Sequence, residues 1–306
     1  MLKLVLSLGL LALVLNRVGW EETRQAVSGA YIPYLVGALV LALVSILVRA
    51  FRWKLLLDAL NMRFSLARLT QLYFVGAFFS TFLPTGVGGD VVRAYEVAQQ
   101  SEKSAEAVGT VLWDRASGLL VLFLMALVAL VFSHSLVGNQ IVLAIVLLTL
   151  MSWGGVALLM QQGWLEKLGL LQFVRRFHAL GEVYQSVHDC GPATIGRTLA
   201  VSFLLNALLI AMNILIAWAL GVRISLWYFV LFVPIISSLL MLPVSVSGLG
   251  VREGAYVYLF TRAGVLTSQA LGMSLIVYAL NGATGLVGGA LYVMQGLCEL
   301  RAQKRN

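Results

Sequence analysis

Two short stretches of the sequence place an arginine and a carboxylate at the end of a glycine-rich break in an apolar run. The first, LPTGVGGDVVRAY, carries Asp90 and Arg93, and the second, LPVSVSGLGVREG, carries Arg252 and Glu253. A guanidinium presents a planar fork of donors that matches phosphate oxygens, and the amides that begin a helix favour anions. These residue types at this spacing predict an anion site with carboxylates as counter-charges. The alternative is a pair of structural ion pairs, the first at headgroup level.

The two stretches also resemble each other. Aligned at one fixed offset, they share six identities in eleven positions, including the arginine at the end of each. Paired apolar segments interrupted by glycine and proline, one in each half of a membrane protein, are typical of an inverted repeat with its binding site between the repeats. The alignment therefore predicts that Arg93 and Arg252 face one polar cavity.

The composition indicates where these stretches lie. Hydrophobic residues make up 60% of the 306-residue chain and charged residues 11%, against about 25% charged in a soluble domain. This excludes a cytosolic enzyme, a disulfide-stapled secreted domain and a disordered chain. The net charge of +8 fits basic cytoplasmic loops beside anionic lipid, and without a basic stripe we expect no nucleic-acid partner. Cys190 and Cys298 are interpreted as free thiols.

The apolar runs predict about six crossing helices of an all-α polytopic membrane protein. They cover residues 4–15, 31–48, 116–133, 141–160, 199–220 and 266–297. We expect the first run to be retained, because no small-residue cleavage site follows it. Basic residues predict that 49–68, 161–197 and both termini are cytoplasmic and that 134–140 is external. We expect the protein to lie in the plasma (inner) membrane.

This orientation requires two segments to enter the membrane and return on the same side. Residues 69–89 must enter from the cytoplasm and residues 226–248 from outside. The sequence thus predicts one transmembrane domain, residues 1–306, with an inverted repeat and two opposed re-entrant helical hairpins. Within it, 161–197 is interpreted as an amphipathic segment on the cytoplasmic leaflet or as a linker.

Other polar residues near the spans allow two readings. Asp114 and Arg115 at the mouth of 116–133 form a local pair or interfacial anchor, or one of them faces the cavity of Arg93. Asn206 and Asn213 are expected to bridge helices. With no spaced His/Cys set and no hydrolase, zincin or nucleotide motif, we expect no metal, cofactor or catalytic residue.

The sequence contains three notable runs, which are FLPTGVGGDVVRAYEV, VLWDRASGLL and LPVSVSGLGVREGAYVYLF. Together they resemble the lysylphosphatidylglycerol synthase transmembrane-region family, also described as flippase-like. It includes the flippase domain of bacterial multiple peptide resistance factors. The resemblance covers essentially the whole chain and implies lipid translocation; because the chain ends at Asn306, we do not expect the synthase domain. The signature residues, interpreted as substrate-binding, are Gly88, Gly89, Asp90, Arg93, Asp114, Arg115, Gly248, Gly250, Arg252 and Glu253.

These observations predict a flippase- or scramblase-like transporter for a phosphate-bearing lipid, anionic or polyprenyl-phosphate-linked. Arg93 and Arg252 hold the headgroup, while Asp90 and Glu253 neutralise them when empty or take up a proton. The alternatives are a membrane-embedded lipid-modifying enzyme and a non-catalytic partner of a cytoplasmic lipid synthase. The expected partner is a membrane lipid. A cytoplasmic lipid synthase is a further partner if the chain is its non-catalytic subunit, and a second copy of the chain is one if it forms a homo-oligomer.

Overall fold

A computed structural model describes residues 20–82, 88–101, 103–133, 138–160, 188–241 and 248–303. Those residues form ten helices and, within them, no β-strand. The predicted first span, 4–15, and most of the predicted amphipathic segment, 161–187, lie outside the described residues.

Five long helices are combined with five shorter ones among the described residues. In chain order they are α1 Trp20–Ser28, α2 Ile32–Ala59, α3 Leu66–Phe82, α4 Gly88–Ser101, α5 Ser104–Ser133, α6 Asn139–Met160, α7 Gly191–Ala219, α8 Leu226–Met241, α9 Val251–Arg262 and α10 Thr267–Gln303. A crossing of the hydrocarbon needs about 20 apolar residues. By length and composition, α2, α5, α6, α7 and α10 are long and apolar enough, which confirms the polytopic all-α architecture and matches five of the six predicted spans.

The exposed side of α2 is apolar. Val36, Val40, Leu43 and Leu47 are all exposed, and their spacing places them along one face of the helix. A continuous apolar face of this kind is costly in water but suits contact with lipid tails. The opposite arrangement, with polar residues outside, is what a water-soluble helix would require.

The helix boundaries depart from the predicted spans at several ends. Helix α2 continues to Ala59, past the predicted end at Val48, and α5 begins at Ser104, well before the predicted start at Ala116. Helix α7 begins at Gly191, inside the interval predicted to be polar. The predictions ended each span at the first charges, whereas the helices continue because their charged side chains find partners or solvent.

Each of the two segments predicted to re-enter the membrane coincides with a short helix that another short helix follows. Helix α3 has 17 residues and α4 has 14, while α8 has 16 and α9 has 12. The first pair packs closely: the Gly89 amide donates to Ser80 Oγ at 3.2 Å, and a β-carbon on Gly89 would lie only 2.1 Å from Gly76 O. Their entry from opposite faces of the membrane stays a prediction.

Helix lengths repeat along the chain in the order long, short, short, long, first in α2–α5 and again in α7–α10. The turn that ends the first helix of each set also repeats. The Met62 amide donates to Leu57 O and the Val222 amide to Ala217 O, both at 2.9 Å. This six-to-one bond defines a Schellman motif, so both sets leave their long helix through the same turn.

The left-handed residue of that turn is Asn61 in the first set, with φ 59°, and Gly221 in the second, with φ 74°. Glycine and asparagine are the residues that adopt this conformation at least cost. The order of helix lengths and the turn geometry therefore recur in the two halves of the chain, and the inverted repeat stays a prediction.

The described residues divide into two compact units. The first draws on residues 1–47, 70–92 and 208–306, and the second on 48–69 and 93–207. In the first unit, Phe229 of α8 and Phe260 of α9 are fully buried with ring centroids 5.4 Å apart, and α10 packs on α9 and α1. In the second, α5 packs on α6, where Trp153 Nε1 donates to Leu120 O at 3.0 Å.

Candidate functional site

A buried cluster of two arginines and one aspartate lies in the second unit, on α2, α4 and α5. Arg52 Nε donates to Asp114 Oδ1 at 2.7 Å, and Arg93 Nη1 forms an ion pair with Asp114 Oδ2 at 3.5 Å. The relative exposures of Arg52, Arg93 and Asp114 are 6%, 4% and 2%. One carboxylate therefore uses both of its oxygens to hold two guanidiniums from different helices.

Hydrogen bonds from α7 and α5 fix the Arg52 side of this cluster. Arg52 Nη1 donates to Ser202 Oγ at 2.8 Å, and the Ser202 hydroxyl lies 3.3 Å from Ser117 Oγ. A β-carbon on Gly118 would lie 3.3 Å from Arg52 Nη1, so glycine there leaves room for the guanidinium. Asn206 Nδ2 donates to Gly118 O at 3.3 Å, which bridges α7 and α5 as the sequence predicted.

Arg93 is held differently, against an aromatic ring. Its guanidinium carbon lies 5.0 Å from the ring centroid of Trp53, within the range of a cation–π contact. Trp53 is fully buried, and its Nε1 donates to Thr110 Oγ1 at 3.0 Å. The ring is thus oriented by α5 and gives Arg93 a planar support that leaves the guanidinium edges to polar partners.

Burial makes this cluster expensive to form and sensitive to change. Removing a charge from water costs many kcal/mol unless a partner compensates it. Charged residues within membrane-spanning segments are therefore first interpreted as functional residues. A phosphate presents oxygens to a guanidinium in the same geometry as a carboxylate. Chemically, a guanidinium such as that of Arg93 binds a phosphate as well as a carboxylate.

The second predicted arginine lies in the first unit, at the start of α9. Arg252 is 8% exposed and its guanidinium carbon lies 5.4 Å from the Tyr278 ring centroid on α10. Gly248 has φ 79°, and a β-carbon there would lie 2.6 Å from Leu240 Cδ2 and 3.2 Å from Arg252 Nη2. Glycine is required at this position both by the backbone angle and by the space that the guanidinium occupies.

Glu253 bonds to groups other than Arg252. Its Oε2 accepts the Gly250 amide at 2.6 Å, its Oε1 accepts the Ser274 hydroxyl at 3.4 Å, and it is fully buried. Among the described residues it forms no ion pair. Gly250, with φ 80°, begins the helix, so Glu253 caps the first turn of α9 from its third position. Its predicted role as a counter-charge to Arg252, or as a group that takes up a proton, stays a prediction.

The remaining predicted residues lie around the start of α4 and on α5. Gly88 and Gly89 are buried, while Asp90 and Arg115 are half-buried. The structure therefore joins Arg93 to Asp114 directly, as one of the two sequence readings of Asp114 expected. It places Gly248, Gly250, Arg252 and Glu253 together at the start of α9. The convergence of Arg93 and Arg252 on one cavity stays a prediction.

Arg52 and Trp53 are the residues that sequence reasoning missed. Arg52 was counted among the basic residues of a cytoplasmic interval. The missed signal is a buried stripe of Ile46, Ala50, Trp53 and Leu57, whose spacing follows one helix face. Because buried apolar residues continue at helical spacing beyond Arg52, they indicate that the helix also continues beyond Arg52.

Comparison with known families supports the resemblance that the motifs carry. The model of one family, lysylphosphatidylglycerol synthase TM region, matches residues 1–289. Among curated proteins, none matches the chain significantly.

Proposed function

We propose that this chain, which belongs to the lysylphosphatidylglycerol synthase TM region family, moves a phosphate-bearing lipid between the leaflets of the cell membrane. The family indicates a function connected with membrane lipid. The observation that carries the transport proposal is the carboxylate of Asp114 shared between Arg52 and Arg93, both buried.

The barrier to lipid translocation is the charge of the headgroup. A bare phosphate in hydrocarbon has no partner, and its desolvation costs many kcal/mol. A buried guanidinium that already has a carboxylate partner can accept the phosphate in exchange, so that no charge is left uncompensated. The acyl tails stay in lipid throughout.

We assign different roles to the two arginines because their contacts differ. Arg52 holds Asp114 by a hydrogen bond of 2.7 Å and also donates to Ser202. Arg93 lies farther away, at 3.5 Å, and the attraction between charges falls with distance. Arg93 therefore exchanges its partner for the phosphate, while Arg52 keeps Asp114 in place until the lipid leaves.

Arg252 is the second guanidinium that the sequence assigns to the headgroup, and that assignment stays a prediction. It is buried, it lies beside Gly248, whose φ is 79°, and Glu253 caps α9.

Reconstitution of the purified protein into vesicles tests the proposal. Fluorescent phosphatidylglycerol and a labelled polyprenyl phosphate are placed in one leaflet, and their arrival in the other is followed by chemical quenching. We expect wild-type protein to accelerate the exchange without changing the lipid, and Arg93→Gln to abolish it. The matched control is Arg262→Gln, because Arg262 is exposed and stacks on Tyr258 at 4.2 Å.

Other outcomes would overturn the transport proposal in distinct ways. A new lipid product would make the protein a membrane-embedded enzyme. No exchange and no product, with a lipid synthase copurifying, would make it a non-catalytic subunit. Equal exchange by wild type and Arg93→Gln would refute the assignment of Arg93.

A further inference from the structure

An open basic groove lies in the second unit, away from the buried arginine cluster. It has a volume of about 450 Å³ and forms where the turn from α2 into α3 meets the junction of α4 and α5. Three cations line it, Arg63, Arg68 and Lys103, together with polar Asn61 and Gln100.

The contacts of these cations leave the groove positively charged. Arg68 Nη2 pairs with Glu96 Oε2 at 2.9 Å, with both side chains partly exposed. Lys103 Nζ donates to Leu60 O at 3.2 Å, at the end of α2. Arg63 is exposed and makes no hydrogen bond or ion pair with a residue that the structure describes. Among the described residues that line the groove, none is acidic.

The groove is close to the buried cluster along α4. Glu96, which holds Arg68, follows Arg93 by three residues, a rise of about 4.5 Å along the helix. A phosphate that took the place of Glu96 on Arg68 would therefore lie about one helical turn from the level of Arg93. The sequence predicts this end of α2 and α3 to be cytoplasmic, where anionic headgroups concentrate.

We infer that this groove binds a phosphate group, with Arg63 and Lys103 as direct contacts and Arg68 released from Glu96. Its role as the site where a headgroup is first held rests on the proposed transport, whereas the binding itself does not. The phosphate can come from a lipid headgroup or from a soluble phosphoester, and the chemistry of recognition is the same.

The second half of the repeat supplies a matched control. Arg223 occupies the position that Arg63 occupies after the equivalent Schellman turn. Its guanidinium carbon lies 5.5 Å from the Tyr34 ring centroid and 4.8 Å from that of Trp218. It is held by aromatic rings, as an interfacial anchor would be, and Arg223→Gln removes the same charge without touching the groove.

The experiment uses the full chain in nanodiscs of phosphatidylcholine. Calorimetric titration with glycerol 1-phosphate measures binding of the soluble phosphoester. Nanodiscs that also contain phosphatidylglycerol, analysed by native mass spectrometry, measure retention of the lipid. The variants are Arg63→Gln, the double variant Arg63→Gln/Lys103→Gln, and Arg223→Gln.

We expect the double variant to weaken binding about tenfold, as the loss of charge-assisted contacts to phosphate implies, and Arg63→Gln to weaken it less. Added salt should weaken wild-type binding. Loss with both probes supports phosphate recognition as such, and loss with phosphatidylglycerol alone shows that the lipid is the source. Arg63→Gln changes a side chain without described contacts, so it keeps the test open if the double variant misfolds.

Equal binding by wild type and both groove variants would overturn the inference, as would an equal loss in Arg223→Gln, which would mean a general effect of surface charge. Normal binding in a protein that moves no lipid would refute the proposed transport and leave the groove assignment standing.

Discussion

Arg52 and Asp114 are 62 residues apart in the sequence and form a hydrogen-bonded ion pair of 2.7 Å with almost no solvent exposure. This pair connects the end of the long helix α2 to the first half of the long helix α5. Asp114 also forms an ion pair with Arg93. Loss of its negative charge would therefore weaken the contacts of two buried guanidiniums.

The first prediction concerns that carboxylate. Asp114→Asn keeps the shape of the side chain but removes its charge, so we expect the free energy of unfolding to fall by about 3 to 5 kcal/mol. The measurement is denaturant unfolding in mixed micelles. Asp58→Asn is the matched control, because Asp58 pairs with Lys54 on the surface of α2 with 44% exposure, and such pairs contribute less than about 1 kcal/mol. An equal decrease in the free energy of unfolding for Asp114→Asn and Asp58→Asn would contradict the stabilising role of Asp114 in the buried cluster.

The second prediction separates the two arginines. Arg52→Gln should lower stability and transport together, because Arg52 orients Asp114 and bonds Ser202. Arg93→Gln should abolish transport at a smaller cost in stability, because its ion pair is longer. Arg93→Lys should recover part of the transport, since it restores the charge without the planar fork. The reverse order of the two stability losses would refute the division of roles.

The sequence predicted the architecture better than the site. Apolar runs located five long helices because a span of hydrocarbon demands them, and the glycine-containing breaks marked both short-helix pairs. Arg52 was missed because charge in a sequence suggests a loop, and only its partners in space show that it is buried. Glu253 was assigned to Arg252 because they are adjacent, but consecutive side chains on a helix do not face each other.

The third prediction tests the packing of α3 against α4. Gly89→Ala should prevent stable folding or strongly lower the thermal midpoint, because the added β-carbon would meet the backbone oxygen of Gly76. Gly254→Ala is the matched control: it lies within α9 with open space around it, and alanine favours a helix by about 1 kcal/mol over glycine. A normally folded Gly89→Ala protein without transport would instead make Gly89 a substrate contact.

The fourth prediction concerns Cys190, which precedes α7. Burial, and next the charge of Asp189, raise its pKa to about 11. Because the thiolate is the reactive form, alkylation in a Cys298→Ala background should be slow at neutral pH and accelerate as the pH approaches 11. The control is Ser28→Cys, because Ser28 is exposed; a cysteine there, with an ordinary pKa of about 8.5, should react quickly at pH 8. Rapid labelling of Cys190 at neutral pH would contradict the burial.

The last prediction tests the inversion of the repeat. Ser65 and Ser225 occupy equivalent positions after the two Schellman turns, and both are exposed. If the halves are inverted, cysteines at these two positions lie on opposite sides of the membrane. In cells, a membrane-impermeant maleimide should then label Ser225→Cys but label Ser65→Cys only after permeabilisation, in a background without native cysteines. Because the two sites share the same local structure, a difference in labelling reports the side of the membrane and not the local environment. Labelling of both from one side would show a parallel repeat and would remove the argument for two opposed hairpins.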